Sequence, residues 1–336
     1  MIEIFPGIRW LKLPITMEQT DLNYINAYLI EDKKGFLLVD SGWNTDESFA
    51  TMHNTLIKSG LNFQSIKQIV ITHVHPDHYG MAGRLKDLSG ATLAMHNIEK
   101  DYIEPRYVKM EPLLYQTDRM LVANGVPEDE MADLRDASLD VLNYVVPTLP
   151  DIVLHNGDTV TAGTFKFQVL WTPGHSSGHI CLYEPHKKVL LCGDHILPKI
   201  TPNISVNPQS IENPLGRYLQ SLEEIKKLDI ELALPGHDEP FNNVNRRINE
   251  IIHHHHLRNL EILETIALTS KTPYSIAQEI TWGANGGSWK TLPPFHKRMA
   301  VFETLAHLEM MAADRRVDKL PKKGIIHYRQ KIADTK

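Results

Sequence analysis

Thr72-His73-Val74-His75-Pro76-Asp77-His78-Tyr79-Gly80 places three histidines and one carboxylate within six positions, directly after the apolar run Ile69-Val70-Ile71. The apolar run is expected to be a buried strand. Side chains two apart on an extended chain point the same way, so His73, His75 and Asp77 are expected to share a face. Pro76 disfavours the α region at His75 and keeps that residue extended. His78 falls on the other side as the chain turns at Tyr79-Gly80 towards a helix. One metal ion can take His73 and His75, and a second can take Asp77 and His78.

Taken singly, histidines in a loop after a strand are ordinary solvated or hydrogen-bonded residues. Three further strand ends change that balance. Thr172-Pro173-Gly174-His175-Ser176-Ser177-Gly178-His179 follows Phe167-Gln168-Val169-Leu170-Trp171, and Asp194 closes Leu190-Leu191-Cys192-Gly193-Asp194. Leu232-Ala233-Leu234-Pro235-Gly236-His237 supplies a last histidine. Four apolar strands that each end in a metal-competent group are expected to build one site.

These motifs resemble the metallo-β-lactamase superfamily. The pattern H-x-H-x-D-H is matched by His73, His75, Asp77 and His78, and the later motifs by His175, Asp194 and His237. The likeness spans roughly the first two thirds of the chain. It implies that His73, His75 and His175 bind one ion, that Asp77, His78 and His237 bind another, and that Asp194 bridges them. Leu37-Leu38-Val39-Asp40-Ser41-Gly42 matches the family's early strand, which implies that Asp40 supports the site from behind. Imidazole and carboxylate donors suit two divalent ions, zinc first, with iron or manganese tolerated. Cys181 and Cys192 fall inside apolar strands and are expected to be small buried hydrophobes.

Ile8 to Leu13, Tyr24 to Ile30 and Gly35 to Val39 are expected to be neighbouring strands, and Ser48 to Ser59 a helix that stops at Gly60. A second strand set is expected from near Thr164 to Ala233. Two strand groups, each followed by a helix, fit an α/β four-layer αββα sandwich with metal loops along one edge. The catalytic domain is assigned to residues 1–245, with a helical insertion at about 100–148 that carries Met110, Leu113, Leu114, Met120 and Leu121 and is the candidate specificity lid. In the loop after Asp194, prolines at 198, 202, 208 and 214 oppose a regular helix. Lys199 and Asn203 are its candidate substrate-binding residues.

Residues 246–336 are expected to hold three helices, including Thr272 as cap with Pro273 at the first turn and a helix at Ala300 to Ala312, then two short strands. This pattern resembles a winged-helix domain. His253-His254-His255-His256 lies within a helical pattern, where only His253 and His256 share a face, so the run cannot close on one ion. His179 and His195 are expected to support ligands rather than to be ligands.

A chain of 336 residues, 42% hydrophobic and 23% charged, can bury a large core, and its net charge of -6 disfavours non-specific nucleic-acid binding. No run approaches the roughly 20 apolar residues of a membrane span. The first residues lack a signal pattern, and with only two cysteines a cytoplasmic setting is expected. Thr172 to His179 and Gly193-Asp194 most resemble glyoxalase II-like hydrolases. That resemblance implies water activated between two cations attacking a thioester, ester or lactone carbonyl of a small-molecule substrate, with Asp77 as the catalytic carboxylate. The alternatives are a metal-dependent ribonuclease or phosphodiesterase that uses the basic C-terminal unit, and an iron-dependent persulfide dioxygenase-like enzyme. A homo-oligomer is compatible with all three.

Overall fold

The computed structural model of the chain describes residues 1–15, 23–136, 140–283 and 287–331. The first sheet begins with β1 (Ile2–Phe5), β2 (Ile8–Pro14), β3 (Tyr24–Asp32) and β4 (Gly35–Val39), each antiparallel to the one before. Helix α1 (Asp46–Lys58) then returns the chain so that β5 (Ile66–Val70) runs parallel to β4. The short α2 (Pro76–Tyr79) and α3 (Ala82–Ser89) lead to β6 (Thr92–His96). Helices α4 (Asn97–Tyr107), α5 (Glu111–Ala123) and α6 (Glu128–Asp136) separate β6 from the parallel edge strand β7 (Ile152–Leu154). The order β1-β2-β3-β4-β5-β6-β7 needs no strand to cross another.

The second sheet comprises β8 (Thr159–Ala162), β9 (Phe165–Trp171), β10 (Ile180–Glu184), β11 (Val189–Gly193) and, beyond α7 (Pro214–Ile225), β12 (Leu232–Pro235). Along β9, Phe165, Phe167 and Val169 turn inward while Lys166 and Gln168 face solvent. These inward residues meet Ile30, Leu37, Val39 and Val70 of the first sheet to fill the space between sheets. On the outer face of the first sheet, Met52, Leu56 and Leu85 of α1 and α3 cover Leu29, Leu38 and Ile69. On that of the second, Leu215, Tyr218 and Leu222 of α7 with Ile248 and Ile251 cover Cys181, Leu190 and Cys192. Helix, sheet, sheet and helix are therefore stacked around three apolar layers, as the strand pattern predicts.

The C-terminal part contains α8 (Val244–Thr265), α9 (Pro273–Glu279), α10 (Pro294–Ala313) and the hairpin of β13 (Val317–Lys322) and β14 (Ile325–Gln330). Thr272 caps α9 with Pro273 in its first turn, as expected. From Arg298 to Met311 no residue of α10 is exposed. The helix is packed against α6, α7, α8, α9 and β13.

Several expectations need correction. The extended chain ends at His75, because Pro76 opens a helical turn, so Asp77 and His78 reach the site from α2 and not from the face that His73 and His75 share. The second sheet starts at Thr159, and Pro214, expected to oppose a helix, occupies the first turn of α7, where its missing N–H costs nothing. The insertion's apolar stripe divides. Leu121 is buried and Met120 half-buried against the C-terminal helices, whereas Met110, Leu113 and Leu114 face a cavity. Within the insertion, residues 137–139 lie outside the described residues. The histidine run has one buried member, His255, whose Nδ1 lies 3.3 Å from His307 Nε2 on α10.

Candidate active site

Strands β5, β9, β11 and β12 all point towards one edge of the sandwich, and the loop beyond each delivers part of the site. His73 and His75 follow β5, with Asp77 and His78 on α2; His175 follows β9, Asp194 follows β11 and His237 follows β12. All seven sequence-derived metal candidates converge. Their ligand atoms form three groups, His73/His75/His175, His73/His78/Asp194 and Asp77/His78/His237, and within each group the atoms lie within 4.8 Å of one another. Asp194 joins the groups: its Oδ1 is 3.3 Å from His78 Nε2, and its Oδ2 is 3.4 Å from His237 Nε2 and 3.6 Å from His175 Nε2. Asp77 Oδ2 sits 3.1 Å from His237 Nε2.

Hydrogen bonds behind the rings fix which nitrogen each presents. His78 Nδ1 donates to Asp40 Oδ2 at 2.8 Å, His175 Nδ1 to the Asn203 carbonyl at 2.9 Å and His237 Nδ1 to the Tyr24 carbonyl at 3.1 Å. Thr72 Oγ1 donates to Asp40 and so accepts from His73 Nδ1 at 3.1 Å. Four Nε2 atoms are thereby aimed inward, the usual arrangement behind metal-bound histidine. His75 alone turns its Nδ1 inward, 2.9 Å from His73 Nε2. The Nε2 atoms of His78, His175 and His237 and Asp194 Oδ1 are buried with no hydrogen-bond partner among the described residues. Buried polar atoms without partners are costly, and these four, spread over the three groups, fit bound cations.

The electrostatics divide the site in two. Burial and the neighbouring rings hold His73 and His75 well below the usual imidazole range, so both keep neutral lone pairs. Burial also opposes protonation of His78 and His237, but the carboxylates outweigh it. Asp194, Asp77 and Asp40 raise His78 well above the usual range, and Asp194 and Asp77 raise His237 to about 10. Burial disfavours the charged form of Asp194, yet His237 and His78 hold its carboxyl well below the usual carboxylate range. This half of the site is built around negative charge that draws cations.

The backbone makes room for these groups at two glycines. A Cβ on Gly236 would lie 2.3 Å from Asp194 Oδ1 and 2.6 Å from His78 Cε1, and one on Gly193, at φ +45°, would lie 2.7 Å from His179 Nε2. Gly236→Ala is therefore expected to push the Asp194 carboxylate aside. Because misplacement by about 1 Å costs roughly 100-fold, turnover should fall by about that factor while far-UV circular dichroism stays unchanged. Parallel kinetics and dichroism check it.

Asp40 stands behind the candidate ligand His78, its carboxylate also accepting the Thr72 N–H at 2.8 Å. It does so from φ +60°, a conformation rare outside glycine that is held by these bonds. His179 supports too: its Nε2 accepts the Asp194 N–H at 3.1 Å, and its Nδ1 lies 2.9 Å from Thr172 Oγ1. His195 is buried and held down at about 3 by desolvation, and its Nε2 lies 3.5 Å from Ser221 Oγ. Burial pushes the Cys181 thiol up to about 12, which removes it as a nucleophile at neutral pH.

Above the ligands lies a cavity of about 370 Å³ whose lining includes His75, Asp77 and His175. Asn203 belongs to the lining, and its side-chain amide donates to Glu303 of α10. Lys199 does not. Its side chain is 69% exposed with Nζ 3.5 Å from Asp238, because the chain has already turned outward there, so the structure does not place it against substrate.

Sequence reading missed Glu99 on α4. Its buried carboxylate accepts the Val74 N–H at 2.8 Å, the Gly178 N–H at 2.7 Å and the Ser176 hydroxyl, clamping the loops that carry His73, His75 and His175. Nothing in the local sequence marks this residue, since its partners lie 25 to 79 positions away. Arg106 was missed too. Its guanidinium donates twice to Gln209 Oε1, at 3.0 and 2.9 Å, beside His75.

The family model described as the metallo-beta-lactamase superfamily matches residues 20–237. A protein of Bacillus subtilis named as the probable metallo-hydrolase YqjP is 23% identical over 311 residues, covering 90% of this chain and 92% of its own. The human acyl-coenzyme A thioesterase MBLAC2 is 28% identical over 229 residues, 65% of this chain and 75% of its own. The crystal structure of a metallo-beta-lactamase family protein from Thermus thermophilus superposes with a TM-score of 0.83 at 28% identity, covering 98% of this chain and 100% of that one.

Proposed function

Because the chain belongs to the metallo-β-lactamase superfamily, we propose that it is a binuclear metal-dependent hydrolase of thioesters, esters or lactones. The single observation that carries this reading is that four buried ligand atoms without partners among the described residues, on His78, His175, His237 and Asp194, fall within three adjoining metal-competent groups. His73, His75 and His175 would hold one ion, Asp77, His78 and His237 the other, and Asp194 both. All-nitrogen-and-oxygen donors of this kind favour zinc, with iron or manganese next. Bound there, such a pair supplies a water acidic enough to attack at neutral pH and polarises the scissile carbonyl.

The protein's own groups do the rest. Asp77, whose carboxyl His78 and His237 keep ionised against the cost of burial, accepts a hydrogen bond from the attacking water and orients it. Asp40, Asn203 and Tyr24 hold three ligand rings in register. The cavity offers few acids to protonate a leaving group. The Tyr107 hydroxyl is committed to the Val74 carbonyl, and burial raises its pKa further. A leaving group that departs as a stable anion is therefore favoured, which points to thiolates ahead of amines. A relative named as a thioesterase supports the same choice, and the reaction is glyoxalase II-like in this sense.

A winged-helix-like reading of the C-terminal region is supported by the bridge between Lys271 and Tyr328, which adds a third strand position to β14 between α8 and α9. Nucleic-acid cleavage is the weaker use of it. The helix that would enter a groove, α10, is covered along its length, and the basic hairpin is partly neutralised by Lys319–Glu309 and Arg329–Asp318 pairs. A panel of thioesters, lactones, phosphodiesters and persulfides, assayed with zinc, manganese and iron, tests the proposal. Thioesters with zinc should be turned over fastest. Preference for phosphodiesters, or oxygen uptake with persulfides and iron, would replace it.

A further inference from the structure

We propose that the cavity above the ligands is a chamber for an aliphatic acyl chain, walled by the insertion on one side and by the C-terminal helix α10 on the other. This deepens the hydrolase reading above and rests on it for the identity of the scissile bond. Three observations carry it. The chamber is continuous with the site, since His75, Asp77 and His175 form part of its lining. Its walls draw apolar side chains from two separate elements, Met110, Leu113 and Leu114 at the start of α5 and Phe295, Met299 and Phe302 of α10. Its volume, about 370 Å³, falls in the range of small-molecule sites.

Polarity is concentrated on one side of the lining, because Thr117 of α5 and Arg298 of α10 direct donors to the Leu113 and Leu134 carbonyls. Asn203, Ser205, Asn207 and Gln209 all lie on the loop between Asp194 and α7, on the side where Arg106 is anchored. Arg106 holds Gln209 Oε1, which leaves the buried Gln209 Nε2 without a partner among the described residues. A polar leaving group finds donors there. Stripping water from a charged or sugar-like group along the α5 and α10 walls would be costly, so the chain attached to the carbonyl is the part that enters. Water adds across the C–S bond, the carbonyl carbon gaining oxygen and the sulfur leaving as thiol, so no further reactant is required.

Each methylene that enters such a chamber should raise kcat/KM about fourfold until the walls are met. The test uses straight-chain acyl thioesters of increasing length on one constant thiol, with the zinc-loaded full chain. In parallel, free fatty acids of the same lengths compete with a fluorescent fatty acid for the protein, a readout that needs no turnover. Both series are expected to climb about fourfold per methylene and then level. Met299→Trp and Leu113→Trp, which narrow the chamber from opposite walls, should each move the plateau to shorter chains.

Turnover indifferent to acyl length together with no competition by fatty acids would overturn the chamber and leave the hydrolase reading standing. Length-dependent competition without turnover of thioesters, esters or lactones would support the chamber and sink the hydrolase reading. A gain that follows the length of the thiol, and not of the acyl group, would overturn the orientation proposed here. So would a plateau that stays put in both tryptophan variants.

Discussion

Asp194→Ala is expected to abolish tight metal binding and to lower turnover by about 1,000-fold or more, the equivalent of the several kcal/mol that metal catalysis supplies. The reason is geometric. Asp194 reaches both halves of the site, with one oxygen 3.3 Å from His78 Nε2 and the other within 3.4 and 3.6 Å of His237 and His175. Residues that merely orient ligands typically cost 10- to 100-fold in affinity when lost, so removal of a shared ligand should exceed about 100-fold. The fold should survive. The Asp194 N–H is held by His179 whatever side chain follows, and β11 is buried on both faces. Metal titration of the variant beside the wild type, with circular dichroism as the folding control, checks each part. Unchanged affinity would place the metal elsewhere.

Glu99→Ala carries the second large effect, and it acts on stability as well as on the site. Three donors from two loops lose their acceptor: the N–H groups of Val74 and Gly178 and the Ser176 hydroxyl. A buried donor left without a partner costs about 1–3 kcal/mol, so the variant should lose about 3 kcal/mol or more and its Tm should fall by roughly 5 °C or more. Because these loops carry His73, His75 and His175, metal affinity should fall by about 10- to 100-fold as well. Glu99→Gln keeps one acceptor oxygen and should fall between the two. Differential scanning calorimetry and metal titration measure the two losses separately. A drop in Tm with no change in affinity would reduce Glu99 to a structural brace.

The convergence of the candidate ligands was legible in the sequence because each sits within a few residues of a strand end, where local spacing reports on direction. His73 and His75 show this, and so do His175, Asp194 and His237, each the first metal-competent residue beyond an apolar run. The layered fold was legible for a related reason, since alternation along β9 and the continuous apolar runs of β10 and β11 are local records of burial. What stayed hidden depends on contacts between distant segments. Glu99 works through partners up to 79 positions away, and Gly236 matters only because Asp194 and His78 happen to lie where its Cβ would be. Lys199, five positions beyond Asp194, points to solvent beside Asp238, a turn of the loop that its composition does not report.

The insertion and the C-terminal part illustrate the same limit at larger scale. An apolar stripe such as Met110, Leu113, Leu114, Met120 and Leu121 says that a helix buries one side, but not against what. In the structure its first half faces the cavity and its second half packs into the core shared with α9 and α10. Helix α10 likewise turns Phe295, Met299 and Phe302 towards the site and sends Glu303 to Asn203, whose carbonyl orients His175. The C-terminal helix is thus joined to the metal-ligand loops, and no sequence period reports such a connection.

The most direct test of the central claim is elemental analysis of the full chain after reconstitution with zinc and removal of excess metal. The account predicts about two equivalents of zinc bound per chain, and loss of this metal together with thioesterase activity in Asp194→Ala. Reconstituted, folded protein that retains no stoichiometric metal would contradict it.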